Sequence, residues 1–256
     1  MSNKREREKR REERLAEETK VDAGDRRTRL LQVGAGAMFL VIVAVVVLIV
    51  VNSSSSDSGG DATNLKDVST VDSLVAGVPQ QELVLGDPKA KVELIEFGDL
   101  QCPVCKSYSE EVLPQVIDNM VKSGKAKVDF RNFLIIGPQS LPAGAAAIAA
   151  GQQGRGWNYI ELFYRNQGKE NSGYADDAFL TAVAKGAGVK DMAAWEKARK
   201  SKAVENEATG TSEQAQKFGF TGTPSFAIKG PSSNGIELLG TPSSPEAIEE
   251  AIEKAS

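Results

Sequence analysis

Between Arg29 and the serine-rich stretch that begins at Asn52, the chain carries no charge for 22 residues, 30–51. From Phe39 onward that run is almost purely aliphatic, Phe-Leu-Val-Ile-Val-Ala-Val-Val-Val-Leu-Ile-Val-Val. As a helix it would be roughly 33 Å long, enough for a hydrocarbon core of about 30 Å. A single N-terminal transmembrane helix is therefore expected, rather than a buried core segment. Arg26, Arg27 and Arg29 precede it, and no Lys or Arg follows until Lys66. The positive-inside rule then leaves residues 1–29 in the cytoplasm and the rest of the chain outside the cell membrane. A cleavable signal peptide would direct the same export. The apolar run is long for one, and Val50-Val51-Asn52-Ser53 lacks a small-x-small cleavage pattern, so an uncleaved anchor is expected.

The flanks read simply. Residues 1–29 hold 11 Lys+Arg against 8 Asp+Glu and form a charged tail that fixes topology. Residues 52–80 begin with a Ser/Gly/Asp tract, a flexible linker by composition, and 62–80 show no clear pattern. The whole chain has a net charge of −4, so the part beyond the tail is acidic and unsuited to a nucleic-acid backbone.

Residues 81–256 read as an α/β domain. Strands are expected at 82–85, 91–97 and 127–133, with a helix from Cys102 to about Lys122 that Pro114 should kink. Strand–helix–strand of this length makes a βαβ unit and a parallel pair. Helical patterns follow over about 137–217, strands return at 224–229 and 235–239, and a last helix begins at Ser243 or Ser244. Glu246 is placed for a capping box on Ser243.

Chemistry is limited by two counts. Without histidine there is no Ser-His-Asp triad, Cys-His dyad or His-containing zinc site, and two cysteines cannot build a thiolate cage. No metal and no cofactor is expected. The two cysteines stand together as Cys102-Pro103-Val104-Cys105, at the start of the expected helix. Pro103 suits its first turn. Helix N-terminal N–H groups would stabilise a thiolate on the first sulfur, and the second, one turn in, would resolve a mixed disulfide. Half of a metal site, a structural staple or two buried thiols are the alternatives. A staple across two residues adds little loop entropy, so a redox-active pair is the preferred reading.

Phe97-Gly-Asp-Leu-Gln-Cys-Pro-Val-Cys105, with Thr221-Gly-Thr-Pro-Ser-Phe226 far downstream, resembles the DsbA-like branch of the thioredoxin superfamily over roughly residues 81–256. The resemblance implies a thioredoxin fold with an inserted helical domain. It also implies a protein disulfide oxidoreductase that introduces disulfides into exported proteins. Catalytic Cys102 and Cys105 would be tuned by Pro103 and Val104. Pro224 would be cis, with Thr223 facing the sulfurs and the substrate backbone. Glu96, six residues before Cys102, matches a buried acid that relays a proton to Cys105, and Asp99 is a weaker competitor for that part. Strong oxidants of the family carry His where Val104 stands, so the direction of exchange is open toward a reductase or isomerase. A non-catalytic peptide-binding module is the rival of a different class. The implied partners are reduced exported proteins and a membrane reoxidase of the DsbB or VKOR kind, and a monomer is expected. Trp157, Tyr159 and Tyr164 read as core rather than as a peptide groove.

Overall fold

The computed structural model describes residues 64–242 and 244–256. The charged tail, the apolar run at 30–51, the first part of the linker and Ser243 with its capping box lie outside the described residues. Among the described residues no helix is long and apolar enough to cross a membrane.

A short helix, α1 (Val68–Leu74), opens the described part and buries Val71. It leads to β1 (Gln80–Gln81), and the helix and Gln80 fall in the stretch expected to be linker. Folded structure therefore starts before Gln81. The single strand expected at 82–85 is instead the second arm of a small hairpin. β1 pairs antiparallel with β2 (Val84–Leu85), and the turn between them places Glu82 at φ 53°. A glutamate in the left-handed region is not a turn signal that sequence advertises.

The centre of the sheet follows the expected pattern. β3 (Val92–Gly98) pairs parallel with β4 (Ala126–Asn132), and the connection between them is helical. That connection breaks as Pro114 requires. α2 (Pro103–Glu111) ends at Val112, and α3 (Leu113–Val116) restarts with Pro114 in its first turn. Proline has no N–H to return to the preceding turn, so an interruption here costs no bond that could have formed. A π-helical turn over Ile117–Val121 completes the crossover.

Five helices separate β4 from the last strands: α4 (Ser140–Gly151), α5 (Gly156–Arg165), α6 (Asp177–Gly186), α7 (Met192–Arg199) and α8 (Lys202–Lys217). Side chains of Asp176, Asp191 and Ser201 cap α6, α7 and α8, each accepting from the N–H three residues on. The chain returns as β5 (Ser225–Lys229) and β6 (Glu237–Gly240), then closes with α9 (Pro245–Ala255), capped by Ser244. The sheet order is β1-β2-β4-β3-β5-β6, with β3–β4 the one parallel pair.

Alternation along β3 and β4 assigns the two sheet faces. Val92, Leu94, Val128 and Phe130 point into the main core, against Val116, Ile117, Ile248 and Ile252 of the flanking helices. Ile95, Phe97, Phe133 and Ala227 point the other way and meet Ala215, Phe218 and Phe220 at the end of α8. Beyond that cluster the second face is polar, with Glu93 paired to Lys127 and Arg131. The period of two puts Glu96 on the first face, among Val92 and Leu94, and not with the polar residues. Trp157, Tyr159 and Tyr164 are fully buried on α5, and Trp157 Nε1 donates to the Leu83 carbonyl at 2.8 Å. They are core.

Candidate active site

Parallel β3 and β4 end at the same edge of the sheet, and the Cys-Pro-Val-Cys segment lies just beyond β3. The loop that carries it is tied down from several sides. Asp99 is buried and its carboxylate accepts the N–H groups of Gln101, Ile135 and Ile136, each at 2.9 Å, joining this loop to the one after β4. The carbonyl of Asp99 accepts the Cys102 N–H at 2.9 Å. Those bonds occupy the acid in holding backbone, so Asp99 is not the free carboxyl that its position suggested. Gln167 Nε2 donates to the carbonyls of Leu100 at 2.7 Å and Cys102 at 3.1 Å. Gly98 lets Phe130 and Tyr164 approach the strand end, since a Cβ there would meet the Phe130 ring at 2.6 Å and Tyr164 Oη at 3.2 Å.

Cys102 is the N-cap of α2, in extended conformation, and Pro103 takes the first helical position. Both cysteines are free thiols. Cys105 is fully buried and Cys102 nearly so, whereas Val104 between them is 54% exposed. The two sulfurs are electrostatically unlike. The Cys102 thiol is lowered to about 6. The largest cause is a hydrogen bond from the Cys105 thiol, opposed by burial and aided by Thr223 and by the backbone N–H groups of Cys105 and Val104. The Cys105 thiol is raised far above its ordinary value. Burial is the main cause, followed by its bond to Cys102 and by the charges of Cys102 and Glu96. A thiolate therefore forms at Cys102 and the proton stays on Cys105.

Residues remote in sequence complete the mouth of the site. The Thr223–Pro224 peptide bond is cis. Cys102 Sγ lies 3.5 Å from the Thr223 carbonyl. The Thr223 hydroxyl is buried with no other hydrogen-bond partner, so its proton is free to turn toward the sulfur. Thr241 Oγ1 donates to the Pro224 carbonyl at 2.6 Å, and Ser225 Oγ to the Gly222 carbonyl at 2.7 Å, fixing the segment on both sides. Tyr108, one turn beyond Cys105 on α2, donates to the Pro242 carbonyl and stacks on Phe226 at 5.0 Å.

Glu96 lies beneath the cysteines. In register it is flanked by Phe130 on β4 and Phe226 on β5, both buried on the same face. Neither of its oxygens has a hydrogen-bond partner. Burial first, and then the charge of Glu161, push its carboxyl up to about 8, so it holds a proton at neutral pH. The cluster thus brings together Cys102, Cys105, Pro103, Val104, Thr223, Pro224 and Glu96. It adds Gln167 and Glu161, which the sequence reading did not single out, and Tyr164, which was expected only as core. A signal for Glu161 existed: Trp157, Glu161 and Tyr164 follow one another at four and three residues, so the acid sits on an aromatic helical stripe.

A family model described as Thioredoxin matches residues 79–254. A probable disulfide bond formation protein D of Bacillus cereus is 31% identical over 153 residues, covering 59% of this chain and 71% of that protein. Disulfide bond formation protein D of Bacillus subtilis is 27% identical over 115 residues, 43% of this chain and 52% of that one. Among solved structures, oxidised BdbD of Bacillus subtilis superposes with a TM-score of 0.60 at 22% identity, over 70% of this chain and 97% of its own. Wolbachia pipientis alpha-DsbA1 gives 0.57 at 21% identity, over 70% and 91%. These two structures speak to fold, and the fold agrees. The chain belongs to the thioredoxin family and is a DsbA-like protein disulfide oxidoreductase.

Proposed function

We propose that the protein is a membrane-anchored, extracytoplasmic oxidase that introduces disulfides into exported proteins. A substrate thiolate attacks Cys102 Sγ of the Cys102–Cys105 disulfide, and the electron pair of the broken bond stays on Cys105 Sγ. Glu96 gives its proton to that sulfur, whose buried site disfavours a thiolate. A second substrate thiolate then attacks the substrate sulfur of the mixed disulfide, releasing an oxidised substrate and the Cys102 thiolate. Thr223 and cis Pro224 supply the surface along which an extended substrate strand lies, close to Cys102. Reoxidation falls to a membrane partner of the DsbB or VKOR kind. The anchored topology rests on the uncharged run at 30–51 and the arginines before it.

The observation that carries the mechanism is the inequality of the two sulfurs. Cys102 sits at the helix start against the Thr223 carbonyl, while Cys105 lies fully buried behind it above Glu96. With Cys102 of Cys105→Ser first activated as a mixed disulfide with an aromatic thiol, a single-thiol peptide should displace that thiol and accumulate as a mixed disulfide on Cys102, because neither Cys105 nor a second peptide thiol is there to resolve it. Cys102→Ser should give none and should not oxidise substrate. Full oxidation by Cys102→Ser would end the proposal.

A reductase is the second reading, and Val104 favours it. Its exposed aliphatic side chain offers the Cys102 thiolate no hydrogen bond, which leaves the reduced form less stabilised than a polar residue there would. The reduction potential separates the two directions.

A further inference from the structure

The two sides of the site's mouth come from distant parts of the chain and have to be held at a fixed spacing. Cys102 and Cys105 belong to the start of α2, whereas Thr223 and Pro224 lead into β5. The ladder between β5 and β6 ends with Phe226 opposite Gly240, and Gly240, at φ 68°, turns the chain away from the sheet. Pro224 lies beyond that last pair, where the ladder supplies no N–H for its carbonyl. The Thr241 hydroxyl takes the place of the missing donor, bonding the Pro224 carbonyl at 2.6 Å.

Thr241 is exposed, and an exposed hydroxyl ordinarily bonds to water. Here its conformation is restricted twice. The β-branch limits χ1, and the following Pro242 confines the Thr241 backbone to extended conformations. Pro242 is in turn tied to the cysteine helix. Its carbonyl accepts the Tyr108 hydroxyl, and the Tyr108 ring lies against Phe226 of β5 with centroids 5.0 Å apart. These contacts close a ring. From Cys105 it runs one turn along α2 to Tyr108, across to Pro242 and Thr241, and back to Pro224 and Thr223. From the Thr223 carbonyl it returns to Cys102 Sγ over 3.5 Å. The two links differ in one respect. The Cys102 thiol can donate to Thr223 only while it carries a proton, so that link is absent from every disulfide form. The bridge through Tyr108 and Thr241 includes no reacting atom and persists through the cycle. Ser225 steadies the same segment through the Gly222 carbonyl, but that bond is local and does not reach α2.

We propose that Thr241 is a positioning residue for thiol–disulfide exchange, which acts through the Pro224 carbonyl to hold the Thr223–Pro224 segment at the spacing from Cys102 Sγ that a docked substrate strand needs. The proposal rests on the reading, given above, that an extended substrate lies along this segment. Thr241 touches neither substrate nor sulfur and exchanges no electrons. It governs where the substrate sulfur arrives, and small displacements of a bound nucleophile cost rate steeply.

The test uses the full chain in its oxidised form with two reductants, a dithiol peptide and dithiothreitol, which is too small to lie along a strand. Thr241→Val keeps the branched shape and removes the hydroxyl. It should lower kcat/KM for the peptide by about threefold or more, the worth of one neutral hydrogen bond, chiefly through KM. The dithiothreitol rate should fall by a smaller factor, so that the ratio of peptide to dithiothreitol rates drops. Thr241→Ser, which keeps the hydroxyl, should keep the wild-type ratio. Tyr108→Phe cuts the bridge at its other end and should lower the ratio in the same direction, which decides the matter if Thr241→Val does not fold. A Thr241→Val ratio equal to wild type would overturn the proposal, as would equal losses with both reductants or a Thr241→Ser ratio as low as that of Thr241→Val. If only Tyr108→Phe folds, an unchanged ratio there overturns it. A peptide N-methylated beside its attacking cysteine, which cannot donate to the Thr223 carbonyl, separates the two levels. If wild type uses it as well as the parent peptide, the strand reading itself fails; if wild type discriminates and Thr241→Val keeps the wild-type ratio, only the part given to Thr241 falls.

Discussion

Glu96→Gln should make the protein more stable at neutral pH and leave its stability unchanged in acid. Glu96 is buried between Phe130 and Phe226, and its pKa stands at about 8 against an ordinary 4.5. Because the folded value is raised, the folded chain keeps a proton that the unfolded chain releases above pH 4.5. The stability associated with that proton is complete below pH 4.5, declines steadily above it and is fully lost once pH passes 8. Each pH unit in that window is worth about 1.4 kcal/mol, so at pH 7 the buried acid costs about 3 kcal/mol. Glutamine has the same shape, cannot ionise, and escapes that cost. Urea unfolding is the assay, followed by the fluorescence of Trp157 and Trp195, the two tryptophans of the chain, both buried in the described domain. The variant and wild type should have equal midpoints at pH 4.5 and diverge progressively toward pH 8, with the variant the more stable. Equal stability at both ends would mean that Glu96 is solvated or paired in the folded state, and the proton-donor argument would lose its basis.

Three further outcomes follow from the geometry around the sulfurs. Alkylation by iodoacetamide should modify Cys102 with a pH midpoint of about 6 and leave Cys105 unmodified in the folded protein, as mass spectrometry of the peptides would show; equal labelling would contradict the burial of Cys105. Thr223→Val should raise the Cys102 pKa by removing a hydroxyl beside the thiolate. One lost charge-assisted bond is worth about one pKa unit, and allowing for solvent screening at the mouth of the site the reduction potential should fall by roughly 10–20 mV. A potential that is unchanged or higher in glutathione equilibration would remove Thr223 from the site's electrostatics. Gln167→Leu removes donors to two carbonyls of the active-site loop and should lower stability by about 1–3 kcal/mol in urea, with little change in the Cys102 alkylation midpoint.

What the sequence showed and what it hid divide along physical lines. β4 was legible because its apolar residues alternate and report burial on one face, β3 because it is a short run rich in β-branched and aromatic residues, and the break in the crossover was legible because proline forbids a continuous helix. The paired motifs around Cys102 and Thr223 located the mouth of the site although 121 positions separate them. The hairpin of β1 and β2 was hidden because two-residue strands carry no periodicity and its turn uses Glu82 where glycine or asparagine would give a signal. α1 was hidden because seven residues make barely two turns, and one buried valine does not make a stripe. Glu161 escaped notice for a different reason. Its place on the stripe of Trp157 and Tyr164 was the one signal, and that stripe reads as core packing; every residue from Gly156 to Tyr164 proves to be buried. Asp99 and Glu96 could not be told apart by spacing alone. Their hydrogen bonds distinguish them, one acid saturated by backbone N–H groups and the other without a partner.

The reduction potential of the Cys102–Cys105 pair tests the oxidase account most directly. The full chain would be equilibrated in glutathione buffers and the reduced fraction read by thiol trapping. A thiolate at about 6 lies between the strongest oxidant of the family, at about 3.5, and thioredoxin, at about 7, so the predicted value falls between about −120 and −230 mV. A value near −270 mV would make the protein a reductase, and the absence of any reversible disulfide would contradict the account at its root.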